Sequence, residues 1–139
     1  MKKNKTKLKK GFYYIGDIGY IFDKTWNKIL KETDFFKKEN TKILGKNCFV
    51  NNTKFGDGVY EDEESREYGV DSGLIGCIPI ELIDRDNVDN SKSFGCGLYN
   101  NYAHIFYMEK DFECKFIDGV FVFDKTKIDT SKNIFKGDV

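Results

Sequence analysis

Three aspartates at glycine-containing turns of this 139-residue chain are the residues best placed to do chemistry. They are Asp17 in Gly16-Asp17, Asp57 in Gly56-Asp57-Gly58 and Asp71 in Asp71-Ser72-Gly73. Gly-Asp sequences favour tight turns, and tyrosines crowd around these turns. If the turns converge, flat rings lie beside hydrogen-bonding groups, as in many small-ligand sites. The candidate ligand-binding residues are Tyr14, Asp17, Tyr20, Asp57, Gly58, Tyr60, Asp71, Ser72 and Gly73.

A second hypothesis uses the same aspartates for catalysis. Asp17, Asp57 and Asp71 would then be acid/base groups or metal ligands of a small hydrolase. An apolar residue followed by Asp71-Ser72-Gly73 resembles the signature of aspartic proteases, which also need an apolar-apolar-Gly segment much later in the chain. In this chain such a triplet, Leu74-Ile75-Gly76, directly follows Gly73, so it cannot also be the later segment that these proteases need. We therefore assign no catalytic residue and favour binding over enzymatic activity.

The cysteine and histidine content argues against a metal site. The four cysteines stand far apart, at positions 48, 77, 96 and 114, and His104 is the only histidine. A zinc site needs closely spaced ligands, so we expect no metal, no cofactor, and free, mostly buried thiols in a reducing compartment. No apolar run is long enough to span a bilayer, and the first residues do not resemble a secretory signal. We expect a cytoplasmic protein that does not bind membranes.

Charge is distributed unevenly along the chain although the formal net charge is zero. Residues 1–54 carry 14 Lys and five acidic residues, whereas residues 55–139 carry seven Lys, two Arg and 18 acidic residues. Because nearly all cations are lysines, they favour diffuse attraction of phosphate over bidentate contacts to bases, so sequence-specific nucleic-acid binding is not expected. Residues 1–10 are basic and are predicted to form a flexible tail, with residues 11–139 as a single domain.

One convincing amphipathic helix is predicted near residues 24–38. Its apolar stripe has the 3.6-residue spacing of a helix that packs on a core. The stripe consists of Trp26, Ile29, Leu30, Thr33 and Phe36. Asp23 or Thr25 can cap the start, and the helix is expected to end near residues 38–40, where lysines suit the C-terminal end of the helix dipole.

The rest of the chain has the pattern of short strands. The predicted strands cover residues 47–50, 55–60, 66–71, 74–80, 102–108, 113–117 and 120–124. Residues 11–22 are predicted as two short strands broken at Gly16-Asp17, or as one strand with a bulge. Residues 61–65 form the charged loop of one hairpin, and Asp118-Gly119 is a strong type I′ turn signal for another. The fold class is therefore α+β, mainly β, with an antiparallel sandwich or half-barrel and one helix packed on it.

Three segments together resemble a group of small, uncharacterised proteins from bacteriophages and bacteria. The segments are Tyr14-Ile15-Gly16-Asp17 with Tyr20, Gly56-Asp57-Gly58-Val59-Tyr60, and residues 68–76, which read YGVDSGLIG. That family pairs an N-terminal Gly-Asp-x-x-Tyr segment with a later Gly-Asp-Gly-x-Tyr and Val-Asp-Ser-Gly-x-Ile-Gly stretch. This chain has Gly19 where the family-like pattern has cysteine before the tyrosine. The resemblance covers about residues 12–80 and implies a phage or mobile-element accessory protein.

These observations lead to a non-enzymatic binding protein as the first hypothesis. By analogy with small phage proteins that counter host defence, its partner would be a nucleotide-like small molecule or a host protein. The oligomeric state is not determined by the sequence, and a homo-oligomer is compatible with it. A structural role in a virion finds no support, because the chain has no repeat, coiled coil or long apolar edge.

Overall fold

The computed structural model describes residues 5–34, 42–84, 88–89, 96–99 and 102–134. One α-helix, α1 (Trp26–Glu32), and two 3-10 helices, Ile18–Tyr20 and Ile80–Leu82, occur in these residues. The strands are β1 (Lys5–Leu8), β2 (Gly11–Asp17), β3 (Lys42–Ile43), β4 (Lys46–Asn47), β5 (Phe49–Asn52), β6 (Gly58–Glu61), β7 (Glu67–Val70), β8 (Leu74–Pro79), β9 (Val88–Asp89), β10 (Cys96–Tyr99), β11 (Ala103–Met108), β12 (Phe112–Ile117), β13 (Val120–Phe123) and β14 (Thr126–Asp129). The fold is thus mainly β with antiparallel sheets and one helix, as the sequence predicts.

Two antiparallel sheets form the body of the protein. The larger sheet has six strands in the order β5-β8-β2-β11-β10-β9, and the smaller has four in the order β1-β12-β13-β14. The β6–β7 hairpin forms a separate two-stranded sheet and joins the smaller sheet through an isolated bridge between Asp62 and Ile128. Strand β2 lies in the interior of the larger sheet, between β8 and β11, so it carries residues to both faces.

The first core lies between the two sheets. Alternate residues of β2, Tyr13 and Ile15, enter this core together with Ile75 and Cys77 of β8. From the smaller sheet come Leu8, Phe112, Cys114, Phe121, Phe123 and Ile128. The period-2 alternation of a strand explains the arrangement, since Tyr14 between Tyr13 and Ile15 points to the opposite face.

The second core lies on that opposite face of the larger sheet, beneath α1. Tyr14, Ile78 and Ile105 of the sheet are buried there with Ile29 of the helix. Trp26 and Leu30 pack against the same cluster from the helix, which confirms the predicted apolar stripe. The helix is shorter than predicted, because Thr33 caps it and Asp34 takes a positive φ of 53°. Residues 35–40, including Phe36 and the predicted end, lie outside the described residues.

Residues 1–10 are predicted to form a flexible tail, but residues 5–8 of this segment form a strand. These residues form β1, which pairs with β12 from Lys5 opposite Lys115 to Leu8 opposite Phe112. Leu8 is 1% exposed in the first core. Apolar burial of this single leucine and the backbone ladder hold the segment on the sheet edge, while the exposed lysines that suggested a tail point away from the core.

Residues 11–22 also differ from the two short strands expected as one alternative. Strand β2 runs without a break to Asp17 and is followed by the 3-10 helix Ile18–Tyr20. Gly16 does not end the strand; it allows close approach to β11, since a Cβ there would lie 2.6 Å from the Cβ of Ala103. The turn signal therefore belongs to Asp17, whose side chain accepts a hydrogen bond from the Gly19 N–H at 2.7 Å.

Both predicted hairpins are confirmed. Strands β12 and β13 meet at Asp118 and Gly119, whose φ angles of 51° and 82° are those of a type I′ turn. Strands β6 and β7 pair from Gly58 opposite Val70 to Glu61 opposite Glu67. The continuous apolar run at residues 74–80 forms β8, which is buried along its whole length.

The described cysteine side chains are free and buried at positions 48, 77 and 114. Burial raises the pKa of Cys48 to about 12, with the nearby Glu32 carboxylate adding to the effect. No α-helix found in the described part of the chain has both the length and the apolar character needed to cross a membrane.

Candidate functional site

Asp17 is the centre of a hydrogen-bond cluster that joins two of the predicted turns. The carboxylate is 1% exposed at the end of β2. Its Oδ2 accepts from the backbone N–H groups of Asp71 at 2.6 Å and Ser72 at 3.0 Å. Its Oδ1 accepts from the Ser72 hydroxyl at 2.6 Å and from the Gly19 N–H. Four donors thus satisfy one buried carboxylate, and the turn after β7 is fixed against the end of β2.

Tyr20 extends this cluster towards the surface. It ends the 3-10 helix after Asp17, and its hydroxyl donates a hydrogen bond to Oδ2 of Asp71. Burial raises the pKa of Tyr20 well above its ordinary value, and the hydrogen bond to Asp71 and the negative charges of Asp71, Asp17 and Asp57 add to the shift. The phenol therefore keeps its proton and acts as a donor to Asp71 throughout the neutral range.

A pocket of about 290 Å³ opens beside this pair. Its walls come from the last residue of the 3-10 helix that follows β2, from the β6–β7 hairpin and the residues beside it, and from the segments that precede β11 and follow β14. The lining residues are Tyr20, Asp57, Gly58, Val59, Gly69, Asp71, Tyr102 and Asn133. Four of the nine residues predicted from the sequence therefore line one cavity: Tyr20, Asp57, Gly58 and Asp71.

Three other predicted residues lie directly behind that wall. Asp17 and Ser72 form the hydrogen-bond cluster described above, so they position Asp71 without lining the pocket. Gly73, with a φ of 77°, makes the turn into β8, and its carbonyl accepts from the Thr53 N–H at 3.0 Å. A Cβ at Gly73 would lie 3.7 Å from Oδ1 of Asp57, so this turn and the β6 turn are neighbours.

The remaining two predicted residues, Tyr14 and Tyr60, belong to the cores and not to the pocket. Both are 0% exposed. The Tyr14 hydroxyl donates to the backbone carbonyl of Asp17 at 2.6 Å, and the Tyr60 hydroxyl donates to the carbonyl of Gly56 at 2.5 Å. Each ring fills a core while its hydroxyl holds one of the Gly-Asp turns in place, which makes both tyrosines positioning residues.

Sequence reasoning missed Tyr102 and Asn133, which complete the pocket. Tyr102 is 37% exposed and packs over Gly69, where a Cβ would lie 2.7 Å from that of Tyr102. Asn133 packs over Gly58 in the same way, and its Oδ1 accepts from the Val59 N–H at 2.9 Å. The available signals were the two glycines inside strands, which mark places where another group approaches the backbone closely.

The pocket presents hydrogen-bond acceptors and aromatic rings. Among the lining residues that the structure describes, Asp57 and Asp71 are carboxylates, and none is Lys, Arg or His. Asp57 is exposed, and within the described residues it has no hydrogen-bond or salt-bridge partner. A carboxylate without a protein partner can accept hydrogen bonds from a ligand without breaking an existing contact.

The hydrolase hypothesis uses Asp17, Asp57 and Asp71, and the geometry places only Asp57 and Asp71 on the pocket wall. Asp17 accepts four hydrogen bonds from the protein and is buried behind the wall, so it does not reach a substrate in the pocket. In the described part of the chain, no group of three or more His, Cys, Asp or Glu side chains is arranged to hold a metal ion.

His104, the only histidine, lies apart from the pocket lining. It is half-buried on β11, where Nε2 donates to the Glu67 carbonyl at 3.0 Å and the ring meets Tyr68 edge-on with centroids 4.9 Å apart. Burial lowers the pKa of His104 below its ordinary value. These contacts are those of a half-buried strand residue that packs beside Tyr68.

Two larger cavities have a different character. One of about 440 Å³ lies between residues 107–112 and 124–125, and one of about 360 Å³ lies between residues 61–63 and the smaller sheet. Both are lined by lysines together with acidic residues, and some of these charges are paired, for example Lys132 with Asp129 at 4.0 Å. They resemble ordinary charged surface, which leaves the 290 Å³ pocket as the stronger candidate.

No protein-family model, curated protein or solved structure is significantly similar to this chain.

Proposed function

We propose that this protein is a non-enzymatic binding protein that holds a nucleotide-like small molecule in the Tyr20–Asp71 pocket. One observation carries the proposal: three separate segments of the chain meet at one cavity of about 290 Å³. These segments contribute Tyr20, Asp57 with Gly58, and Asp71. Tyrosine rings offer stacking surfaces to a base, and carboxylates accept hydrogen bonds from sugar hydroxyls and amino groups.

Binding without turnover is favoured because no activated group occurs among the described residues that line the pocket. Tyr20 is held as a hydrogen-bond donor to Asp71, and Asp17 is occupied by four protein donors. Hydrolysis needs a nucleophile or a general base with its partner in position. A hydrolase that uses Asp57 and Asp71 remains the alternative, and it predicts a chemically altered ligand.

The biological role follows from the resemblance to small phage proteins. We propose that the protein acts in the cytoplasm of a bacterial host as an accessory, counter-defence protein that sequesters a nucleotide-like signal. It needs no cofactor in this role. Sequestration requires only that the ligand binds the folded state tightly and leaves unchanged.

A host protein is the second candidate partner, and two exposed apolar side chains favour it. Phe55 is 58% exposed and Ile117 is 53% exposed. The Phe55 N–H donates to the Thr130 carbonyl, and the Thr130 N–H donates to Gly119, close to Ile117 in the same hairpin. Exposed aromatic and aliphatic residues on one surface are common in protein interfaces.

The test is a thermal-shift screen of the purified protein against linear and cyclic nucleotides and nucleotide-sugars. Any ligand that raises the melting temperature is then recovered after denaturation and identified by chromatography. An intact ligand is the expected result, since binding to the folded state alone raises stability. An altered ligand would establish the hydrolase instead.

Two test variants and one control variant distinguish binding in the pocket from binding at the apolar surface. Asp57→Asn removes a pocket carboxylate, and Asp118→Asn is its matched control at an exposed hairpin turn that suits asparagine. Loss of the shift in Asp57→Asn alone supports the pocket. If no ligand gives a shift, and a host protein is captured by the wild type but not by a Phe55→Ser/Ile117→Ser variant, the partner is a protein.

A further inference from the structure

Four backbone hydrogen-bond donors around the pocket are already used by the protein. The backbone N–H groups of Asp71 and Ser72, which lie at the turn where an anion could be received, both donate to Asp17. The N–H of Val59 donates to Asn133, and the N–H of Gly69 donates to the Tyr102 carbonyl at 2.9 Å. An anion-binding loop needs several such N–H groups free to point at the ligand.

Two side chains of the wall are carboxylates, which only accept hydrogen bonds when ionised. Asp57 has no partner among the described residues, and Asp71 receives the Tyr20 hydroxyl through one oxygen, which leaves its other oxygen for a ligand. The Tyr20 hydroxyl proton is engaged in that bond. Since no Lys, Arg or His lines the cavity among the described residues, a phosphate inside it would face two carboxylates and no compensating cation from this part of the chain.

The size and walls suit one uncharged moiety with a flat face. A volume of about 290 Å³ is at the lower limit of the roughly 300–1,000 Å³ found for ligand pockets, which is room for a single nucleoside-sized group. The rings of Tyr20 and Tyr102 contribute to the walls, and bases stack on such rings irrespective of sequence. Carboxylates bind ribose hydroxyls in dinucleotide sites by the same acceptor chemistry.

We propose that the pocket recognises the base and ribose of its ligand, with Asp57 and Asp71 accepting hydrogen bonds from hydroxyl or amino groups, and that the phosphates remain outside in solvent. This inference rests on the proposed function and specifies which part of the nucleotide-like ligand enters the site. It assigns Asp57 as a specificity-determining residue that selects donors and rejects anions.

The sign of the Asp57→Asn effect tests the inference. Binding of adenosine, guanosine, cytidine and uridine is measured by calorimetry beside that of their 5′-mono- and triphosphates, with wild type, Asp57→Asn and Asp118→Asn. We expect a nucleoside and its nucleotides to bind with dissociation constants within about threefold, and Asp57→Asn to weaken all of them about tenfold. Asp118→Asn should bind like wild type.

Opposite results identify which proposal fails. If the phosphate occupies the pocket, nucleosides do not bind, and Asp57→Asn tightens nucleotide binding because a like charge has been removed. That outcome overturns the inference and leaves the proposed function intact. If none of these nucleosides or nucleotides binds the wild type, the proposed nucleotide binding is overturned together with the inference. Circular dichroism of each variant confirms that the fold is retained.

Discussion

Asp17 and Asp62 are both buried carboxylates that accept four hydrogen bonds, but their donors come from different distances along the chain. Asp17 is 1% exposed and Asp62 is 5% exposed. The donors to Asp17 include Asp71 and Ser72, which are 54 and 55 residues away. The donors to Asp62 are the N–H groups of Glu64 and Arg66, the Arg66 guanidinium and the Tyr68 hydroxyl, all within six residues.

The difference shows two uses of the same chemistry. Asp62 shapes the turn of the β6–β7 hairpin and forms an ion pair with Arg66, whose Nε lies 2.9 Å from Oδ2 of Asp62. Asp17 has only neutral donors and joins segments that are distant in sequence, so it holds the pocket wall in place. Loss of Asp62 should therefore loosen one hairpin, whereas loss of Asp17 should separate the wall from the larger sheet.

The largest effect is expected for Asp17→Ala. It leaves the Ser72 hydroxyl and three backbone N–H groups without their acceptor at a site closed to bulk water, so the free energy of unfolding should fall by about 3 kcal/mol. Urea denaturation measures the change. A loss below about 1 kcal/mol would show that water replaces the carboxylate easily and that the Asp17 cluster is not a tertiary anchor.

A smaller effect is expected for Asp62→Ala, about 2 kcal/mol. The Arg66 side chain is 28% exposed and can turn towards water, so the buried Tyr68 hydroxyl is the main group left unsatisfied. The double variant Asp62→Ala/Tyr68→Phe removes that hydroxyl as well and should be more stable than Asp62→Ala alone. If the two single effects add in full, the carboxylate and the phenol are not coupled and the comparison with Asp17 weakens.

The contrast also explains how much could be predicted from the sequence. Strand alternation and turn residues are local, so β8, the Asp118-Gly119 hairpin and the apolar stripe of α1 were predicted correctly. The β6–β7 hairpin is likewise predictable from local sequence, because the hydrogen-bond donors to Asp62 that organise its turn are close in sequence.

Tertiary pairing could not be predicted in this way. Strand β1 exists because its backbone pairs with β12, which begins about a hundred residues later in the sequence. In the pocket, Tyr20 and Asp71 were proposed from their types, but Tyr102 and Asn133 lie next to Gly69 and Gly58 only through the fold. Tyr14 and Tyr60 have the same residue type and neighbouring glycines as Tyr20, yet strand alternation and core packing bury them.

Asp84 provides an intermediate case, a carboxylate that is only partly buried. Its oxygens accept from the N–H of Asp23 at 2.6 Å and from the N–H and hydroxyl of Thr25 at 3.0 and 2.8 Å, just before α1. Partial burial acts to raise the pKa of Asp84, but these hydrogen bonds outweigh it and lower the pKa below its ordinary value. The stabilisation is therefore present above the unfolded-state pKa and is lost as the pH falls through the folded-state pKa.

The variant Asp84→Asn should lower the free energy of unfolding by about 1 kcal/mol at pH 7. The difference from wild type should shrink between about pH 5 and pH 2, as Asp84 becomes protonated in the wild type too. Urea denaturation of both proteins across this range measures the change. A difference that stays constant with pH would show that the negative charge contributes nothing and that only the shape of the side chain matters.

The smallest effect on stability is expected for Asp57→Asn. Asp57 is exposed and has no protein partner among the described residues, so the free energy of unfolding should change by no more than about 0.5 kcal/mol. Asp118→Asn, at the hairpin turn, serves as the control for an exposed aspartate of no role in the pocket. A loss above about 1 kcal/mol would place Asp57 with Asp17 and Asp62 as a residue that the fold requires. A loss of nucleotide binding in that variant would then follow from damage to the turn. If stability is unchanged and nucleotide binding is weakened, Asp57 is a carboxylate that binds the ligand and that the fold does not need.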